Sequence, residues 1–288
     1  MLHVQFSTTD EVAGTLAGEG YLADRALATS VYLAAALEQP LLLEGEAGVG
    51  KTEVARALAR ARGARLIRLQ CHEGIDLHHA VYDWDYQRQL LAIRAAEAGA
   101  ESRELFGREF LLRRPLLEAL ESDAEETVLL IDEVDRADDE FEAFLLEFLS
   151  DFAITIPELG TVSALRRPLV VLTSNRTREL HDALKRRCLY HWIEHPGLER
   201  ELQIVRSRAP EVSAQLARQV VGVVQQLRES GLQKPPGVAE TLDWARALHH
   251  LGTTTLDLES SARTLGALVK YREDGQRVQQ ALDQMLRP

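Results

Sequence analysis

Short apolar runs recur along the first two thirds of the chain, and helical patterns separate most of them. The runs are PLLLE (40–44), RLIRLQ (65–70), TVLLIDE (127–133), PLVVLTSN (168–175) and CLYHWIEHP (188–196). Runs this short that lack polar alternation are typical of strands buried on both faces. Strands that alternate with helices predict an α/β fold, in which a parallel sheet carries helices on both of its faces.

The clearest helical pattern is DEFEAFLLEFLSDF (139–152). Its apolar residues have helical spacing and form one stripe: Phe141, Phe144, Leu145, Phe148, Leu149 and Phe152. This stripe predicts a helix that packs against the core. Two more helices are predicted, over 21–38, where Pro40 follows, and over 52–63, which Gly63 ends.

Two connections are too long for simple crossovers between strands. The second and third runs are separated by residues 71–126, whereas a crossover usually needs about a dozen residues. We predict an insertion over about 71–104, which holds at least one extra helix and an aromatic segment. A second insertion, over 153–168, is predicted to be a hairpin-like excursion. Long insertions in compact domains are commonly functional.

No strand-like run follows Pro196. Helical patterns fill residues 198–288, with breaks at 209–210, 234–237 and 252–255. We therefore predict two domains: residues 1–196 form an α/β core, and residues 197–288 form a second, all-helical domain.

Composition and charge narrow the class of protein. The 288 residues are 45% hydrophobic, which is ordinary for a globular chain. The formal net charge of −12 repels nucleic acid unless basic groups are concentrated locally. Cys71 and Cys188 are the only cysteines, so no disulfide framework is expected and the cytoplasm is the predicted location. No apolar run reaches the roughly 18 residues of a membrane span, and the first residues lack a signal-peptide pattern.

The segment GEAGVGKT (45–52) matches G-x-x-x-x-G-K-[ST] at every fixed position and lies between a predicted strand and a predicted helix. Its glycines let the backbone curl so that successive N–H groups face phosphates, and the following helix adds its N-terminal dipole. We expect Lys51 to neutralise the β- and γ-phosphates of ATP and Thr52 to ligate Mg²⁺. The predicted nucleotide-binding residues are Gly45, Glu46, Ala47, Gly48, Val49, Gly50, Lys51 and Thr52.

Candidate catalytic residues follow two of the apolar runs. Asp132 and Glu133 end a predicted strand, on the side of a parallel sheet where ligands bind. Asp132 is expected to hold Mg²⁺ or its waters, and Glu133 to polarise the attacking water. Asn175 ends the next strand and can hydrogen-bond the γ-phosphate or the water, with an ordinary helix-capping asparagine as the alternative.

Arg186 and Arg187 precede the last apolar run. A pair of arginines is usually a solvated face. In many NTPases, however, an arginine supplied in trans stabilises the charge of the transition state. That role would require a ring or a dimer.

At this point the sequence resembles the AAA+ ATPases, and more narrowly the MoxR family, closest to its carbon-monoxide-dehydrogenase accessory type. The resemblance covers nearly the whole chain. It is carried by LLLEGEAGVGKTEVARALA, LQCHEGIDLHHAVYDWDYQRQLL, FLLRRPLLEAL, LLIDEVDRADDEFEAFLLEFLSDFAITIPELGT, TSNRTRELHDALKRRCLYHWIEHP and KPPGVAETLDWARAL.

The resemblance implies a three-layer αβα P-loop core with strand order 5-1-4-3-2, a C-terminal helical lid, and an ATP-dependent ring, commonly a hexamer. It places Asn175 at the sensor 1 position, with Arg187 as the better arginine-finger candidate and Arg186 second. The insertion after Cys71 is similar to the family's helix-2 insert, and ITIPELGTV (154–162) to its pre-sensor-1 hairpin. It also implies a von Willebrand factor A domain partner and chaperone-like maturation of a client metalloenzyme. The acidic balance of the chain, by contrast, is the reason that no nucleic-acid partner is expected.

One departure concerns the lid. Many relatives have an arginine, called sensor 2, at the start of the lid helix, whereas residues 235–239 of this chain are PPGVA. Arg246 lies about two turns further along the helix, and we do not assign the sensor 2 role to it. Without a sensor 2 arginine, slow hydrolysis is expected.

Two rival functions stay open, a nucleic-acid motor of the same superfamily and a nucleotide-gated scaffold with little turnover. Salt-dependent DNA binding would favour the motor.

Two features of the first insertion each have a functional interpretation and a purely structural one. Cys71, His72, His78 and His79 lie close together but match no common zinc spacing, so polar insertion residues are favoured over a metal site. Tyr82, Trp84 and Tyr86 alternate as in a strand, which predicts one shared face. An exposed face would suit partner binding, and packing within the insertion is the favoured alternative.

Overall fold

The computed structural model of the chain describes residues 6–97 and 104–285. The strands in these residues are β1 (Leu41–Gly45), β2 (Arg65–Gln70), β3 (Tyr82–Trp84), β4 (Leu111–Arg113), β5 (Thr127–Asp132), β6 (Ala153–Ile156), β7 (Gly160–Ser163), β8 (Leu169–Ser174) and β9 (Leu189–Ile193). The helices are α1 (Thr9–Gly18), α2 (Arg25–Leu37), α3 (Lys51–Arg62), α4 (Leu77–Ala80), α5 (Tyr86–Glu97), α6 (Pro115–Leu120), α7 (Asp139–Asp151), α8 (Asp182–Arg187), α9 (Leu198–Arg208), α10 (Ala214–Arg228), α11 (Val238–His250), α12 (Leu258–Leu268) and α13 (Arg272–Met285).

The main sheet is parallel and has five strands in the order β2-β5-β8-β1-β9. Counted along the chain, these are the five predicted strands in the order 5-1-4-3-2, so both the α/β class and the strand order are confirmed. All residues of β5 and β8 are buried. This explains why their sequences lack the polar alternation of a half-exposed strand.

The chain divides into two compact units. The first contains the described residues up to Thr15, then Asp24–Glu44 and Ala55–Trp192. The second contains Leu16–Ala23, Gly45–Val54 and the residues from Ile193 onwards. The segments 16–23 and 45–54, which the predicted division assigns to residues 1–196, thus cluster with the C-terminal helices.

The core of the first unit lies between the sheet and its helices. Five of the six apolar residues of the predicted α7 stripe are buried, and Phe144 is partly buried against them. Glu142 on the same helix is also fully buried. Its carboxylate pairs with Arg178 and accepts the backbone N–H of His181 at 2.9 Å, which satisfies the charge that burial would otherwise leave unpaired.

The two predicted insertions differ in outcome. β6 and β7 form an antiparallel pair, which confirms the hairpin. The first insertion contains α4, β3 and α5, so the extra helix is confirmed. Its strand β3 pairs antiparallel with β4, which lies beyond the predicted end of the insertion. Residues 98–103 lie outside the described residues.

The prediction that Tyr82, Trp84 and Tyr86 share one face is wrong. β3 ends at Trp84 and α5 begins at Tyr86, which breaks the strand alternation. Trp84 is consequently 5% exposed and Tyr86 62% exposed.

The second unit is helical from Leu198 to Met285. The breaks predicted at 209–210, 234–237 and 252–255 each lie between two helices, whereas the break between α12 and α13 was not predicted. Its core forms around the side chain of Trp244, whose indole N–H donates to the Thr264 hydroxyl at 2.8 Å. A buried ion pair lies beside this core. Arg228 on α10 donates to both carboxylate oxygens of Glu201 on α9, each at 2.7 Å. The Thr241 hydroxyl donates to the same carboxylate at 2.7 Å.

We expect Arg228→Met to destabilise the protein by about 3–5 kcal/mol, because it leaves the buried Glu201 carboxylate without its cation. Urea unfolding measures the difference. Arg263→Met is the matched control, since Arg263 and Glu259 form an exposed pair at 3.9 Å and should contribute less than about 1 kcal/mol. Equal losses in the two variants would contradict this role for the buried pair.

Candidate functional site

Asp132 and Glu133 are held together by one hydroxyl group of the neighbouring strand. The Thr173 hydroxyl, on β8, donates to Asp132 Oδ1 at 2.6 Å and accepts the backbone N–H of Glu133 at 2.9 Å. Asp132 and Thr173 are buried. The backbone of Glu133 is left-handed, with φ of 56°, which is uncommon outside glycine, asparagine and aspartate. Thr173 thus fixes the Asp132 carboxylate and the backbone of Glu133 at the end of β5.

The Glu133 carboxylate has three polar partners. Gln70 Nε2, at the end of β2, donates to Oε2 at 3.0 Å, and Arg136 Nε lies 3.0 Å from the same oxygen. Asn175 Nδ2 donates to Oε1 at 3.4 Å. The structure therefore brings Glu133 and Asn175 together, as their positions after neighbouring strands predict.

Asp135 was not identified from the sequence. Its buried carboxylate accepts the backbone N–H of Asn175 at 3.2 Å. It also accepts the backbone N–H and the hydroxyl of Thr177, at 2.8 and 2.7 Å. Asp135 therefore holds the backbone that carries Asn175. The sequence does show a third acidic residue, two positions after Glu133. Only the strand order shows that its side chain reaches the loop after β8.

Arg68 on β2 was also missed. Its Nε donates to Asp132 Oδ2 at 3.0 Å, and its Nη2 to the same oxygen at 2.5 Å. The alternation of β2, a strand at the edge of the sheet, points this cation toward the acid on β5. The strand order β2-β5 was required to find the pair.

Residues 45–52 adopt a curled backbone in the second unit. Gly48 and Gly50 have φ of 81° and 96°, whereas φ is negative at Val49 and Lys51. Alternation of this kind forms a nest, in which successive N–H groups face one side and attract an anion. Gly45 has no room for a side chain, because a Cβ would lie 2.4 Å from the Ile193 carbonyl oxygen.

Lys51 begins α3 and is 6% exposed. Its ammonium donates to the carbonyl oxygens of Gly45 and Glu46 at 2.8 and 2.6 Å. The charge is thereby kept at the loop rather than in solvent. The Glu46 carboxylate lies 3.0 Å from His195 Nε2, so this variable position of the loop also has a partner in the second unit.

The two candidate finger arginines, at the end of α8, are exposed and have different surroundings. Arg187 donates through Nη1 to the Ser150 hydroxyl. Arg186 makes no hydrogen bond or ion pair with any residue that the structure describes. Both stay candidates for a role in trans.

Two histidines of the first insertion lie near single carboxylates. His79 lies 2.7 Å from the Asp76 carboxylate, and His78 lies 3.9 Å from that of Asp83. Within residues 6–97 and 104–285, no group of three or more histidine, cysteine or acidic residues is arranged to hold a metal ion. Cys71 is buried, and its backbone N–H donates to the Asp132 carbonyl oxygen at 2.9 Å.

The donors predicted for Mg²⁺ suit that ion in chemical type. Mg²⁺ prefers hard oxygen ligands and usually takes one or two from the protein, with phosphates and waters completing the shell. The Thr52 hydroxyl and the Asp132 carboxylate are such donors.

Comparison with known proteins gives one family match. The profile described as an AAA domain of the dynein-related subfamily matches residues 40–188, which is just over half of the chain. No curated protein matches the chain.

Similar solved structures include the RuvB Holliday junction branch migration motor of Thermotoga maritima. It has 15% identity and a TM-score of 0.47, and the match covers 94% of this chain and 74% of that one. A proline-to-glycine mutant of the same RuvB has 14% identity and a TM-score of 0.49, with coverage of 94% and 76%. Among the described helices, none is long and apolar enough to cross a membrane.

Burial, followed by the charges of Asp132, Asp135 and Glu133, raises the pKa of the Cys71 thiol from 9.0 to about 12. In the folded state the Cys71 thiol therefore keeps its proton at pH values where the unfolded chain has lost it. The contribution of the thiol to the free energy of unfolding is complete below pH 9 and is lost as pH rises toward 12. We expect wild type to lose about 1 kcal/mol more than Cys71→Ala between pH 8 and pH 10. Urea unfolding at both pH values is the measurement, and parallel losses would contradict the assignment.

Proposed function

This chain belongs to the AAA domain family, in its dynein-related subfamily, and we propose that it is a Mg²⁺-ATP-dependent ATPase that hydrolyses ATP to ADP and phosphate. The observation that carries the proposal is the nest at residues 45–52, with its alternating φ angles and its buried Lys51. A nest followed directly by a helix N-terminus is suited to phosphate binding.

Different groups of the loop would bind different parts of the nucleotide. Backbone N–H groups of the nest bind the α- and β-phosphates. Lys51 exchanges its carbonyl partners for the β- and γ-phosphate oxygens. Thr52 and Asp132 would hold Mg²⁺, which supplies neutralisation of phosphate charge when bound.

Hydrolysis is assigned to Glu133 and Asn175. Glu133 accepts a proton from the attacking water, and Asn175, 3.4 Å from its carboxylate, orients that water or the γ-phosphate. Thr173 and Asp135 hold the two side chains in place through their backbones.

We expect Glu133→Gln to lower kcat by about 10²- to 10⁴-fold, the usual contribution of a general base, with ATP binding retained. Lys51→Ala should abolish binding. Phosphate release and ATP titration are the measurements. Glu147→Gln, an exposed carboxylate on α7, is the control. Turnover unchanged by Glu133→Gln would contradict the general-base role and favour a nucleotide-gated scaffold.

We propose further that copies of this chain form a ring, commonly a hexamer. In each subunit residues 1–196 would be the core and residues 197–288 the lid. AAA domains generally assemble in this way, and the neighbouring subunit would then supply an arginine. Arg187 is the first candidate and Arg186 the second. Both are exposed at the end of α8, as a residue that acts in trans must be.

Arg187→Ala should stop turnover while leaving ATP binding intact, because its target is on the neighbouring subunit. Arg186→Ala is the matched comparison. Mixing the inactive arginine variant with Lys51→Ala should restore part of the activity, since a subunit lacking Lys51 still carries its arginine. A strict monomer in light scattering, with and without Mg²⁺-ATP, would contradict the ring.

The biological role that we propose is that of a MoxR-type chaperone in the cytoplasm. In this role the protein works with a von Willebrand factor A domain partner to mature a client metalloenzyme. Support comes from the sequence resemblance and from apolar residues left exposed on α5 of the first insertion. They are Tyr86, Leu90 and Leu91, with exposures of 62%, 51% and 64%. Exposed apolar residues that lie close together are typical of protein-binding surfaces.

A pull-down with the ATP-bound Glu133→Gln variant tests this role. We expect an A-domain protein or a metalloenzyme to be enriched over the Lys51→Ala control. Enrichment of neither would remove the maturation role and leave the ATPase assignment untouched.

A further inference from the structure

Helix α11 begins directly against the phosphate-binding loop. Its first amide, Val238 N–H, donates to the Gly48 carbonyl oxygen at 3.0 Å. The residue before it, Gly237, is in still closer contact. A Cβ at Gly237 would lie 2.7 Å from the Gly48 Cα and 2.9 Å from the Ala47 carbonyl oxygen. No other residue type fits there without moving the loop.

The requirement for glycine is reciprocal. A Cβ at Gly48 would lie 3.0 Å from the Gly237 Cα and 2.8 Å from Glu240 Oε2. Gly48 also has φ of 81°, a conformation that favours glycine. The loop and the helix therefore meet through backbone atoms.

The hydrogen bond from Val238 sets the direction of one peptide group in the loop. The peptide between Gly48 and Val49 is planar and trans, so its carbonyl and its N–H point in opposite directions. A bond that holds the Gly48 carbonyl toward α11 turns the Val49 N–H away from the helix. Because Val49 lies within the alternating nest, that N–H is one of the donors available to a phosphate.

The start of α11 is itself fixed by a buried network. The Glu240 carboxylate accepts the Gly237 N–H at 3.0 Å. The Thr241 N–H and hydroxyl donate to the Gly237 carbonyl oxygen at 3.1 and 3.0 Å. Arg228, held by its buried ion pair, donates through Nε to the Pro236 carbonyl oxygen at 2.8 Å. Gly237 thus has a defined position from which to support the loop.

Arg246 does not take part in this contact. Its Nη2 donates to the Arg208 carbonyl oxygen at 2.5 Å, and its Nε lies 3.4 Å from the Glu211 carboxylate. The contact between α11 and the loop is made by the Val238 N–H and by two glycines, Gly237 before the helix and Gly48 in the loop.

We infer that the first turn of α11 is a positioning element for phosphate binding. Gly237 allows the approach, and the Val238 N–H orients the Gly48–Val49 peptide so that the nest is formed before nucleotide arrives. The inference rests on the proposed nucleotide-binding function. Nest N–H groups contact the phosphates shared by ADP and ATP, so the contribution is the same for both nucleotides.

The test removes the donor without breaking the helix. Proline is well tolerated at the first position of a helix, and Gly237 already has the extended backbone (φ −81°, ψ −177°) that precedes proline. Val238→Pro therefore deletes one N–H, whereas Val238→Ala keeps it. Gly237→Ala adds the Cβ that clashes with the loop.

Helix α9 offers matched controls. Gly197 precedes it with φ of −64° and ψ of 165°, and a Cβ there meets no described atom within 4 Å. Gly197→Ala and Leu198→Pro repeat the two substitutions at an equivalent helix start, away from the contact between α11 and the loop.

Binding of ADP and of a non-hydrolysable ATP analogue to the full chain is measured by titration calorimetry. We expect Val238→Pro and Gly237→Ala to weaken both ligands by about tenfold, the effect of losing one oriented donor to a charged group. Val238→Ala and both α9 controls should stay within about twofold of wild type. Circular dichroism melting confirms that each variant folds.

Each other result has a defined meaning. Val238→Pro binding as tightly as Val238→Ala would overturn the inference alone, and so would a loss confined to the ATP analogue. Wild type that binds neither ligand would overturn the proposed function as well. Should the α11 variants fail to fold, hydrogen exchange of wild type decides. Exchange over 46–50 and 238–240 should slow together when ADP is added, and unchanged exchange at either segment would overturn the inference.

Discussion

The parallel register of the central strands fixes the chemistry of the first unit. Ile131 pairs with Leu172, so the next residues, Asp132 and Thr173, are adjacent and the hydroxyl reaches the carboxylate at 2.6 Å. A slip of one residue would turn Thr173 to the other face of the sheet and place an apolar side chain beside the acid. The slip would leave the buried Asp132 carboxylate without the Thr173 hydroxyl, and the cost of burying an unsatisfied polar group opposes it. The strand register thereby determines where the polar groups stand.

The strands were predictable because burial on both faces leaves short unbroken apolar runs. The signature of the loop at 45–52 was predictable because its backbone requires glycine at fixed spacing. The partners of Asp132 and Asn175 were not predictable in this way. Arg68 and Asp135 reach them across strands whose order is a tertiary property, and nothing local in the sequence encodes it. The prediction for Tyr86 was wrong for a related reason. Trp84 pairs with Leu111, the first residue of β4, so the pairing of β3 ends before Tyr86.

Two non-glycine residues with left-handed backbones follow the two central strands. Glu133, with φ of 56°, comes directly after β5, and Arg176, with φ of 55°, comes two residues after β8. Such conformations cost about 1–3 kcal/mol each and persist only where neighbours enforce them. Thr173 binds the backbone N–H of Glu133, and the Ser174 hydroxyl accepts that of Arg176 at 3.0 Å. The strain therefore lies on the residues that carry or adjoin Glu133 and Asn175, as expected where side-chain direction matters more than stability.

In the second unit, main-chain groups rather than side chains orient the phosphate-binding loop. The sequence lacks an arginine at the start of α11, and the charged residue in its first turn is Glu240, which caps its own helix. A main-chain N–H donor has no residue signature, because any residue except proline provides it. Gly48 and Gly237 are the residues that indicate this contact in the sequence, because a Cβ at either would collide with the other segment. Pro235-Pro236-Gly237, which from sequence alone is a helix break, is therefore better understood as the segment that delivers the α11 N-terminus to Gly48. The absence of an arginine does not by itself imply that this end of α11 is uncoupled from the phosphate loop.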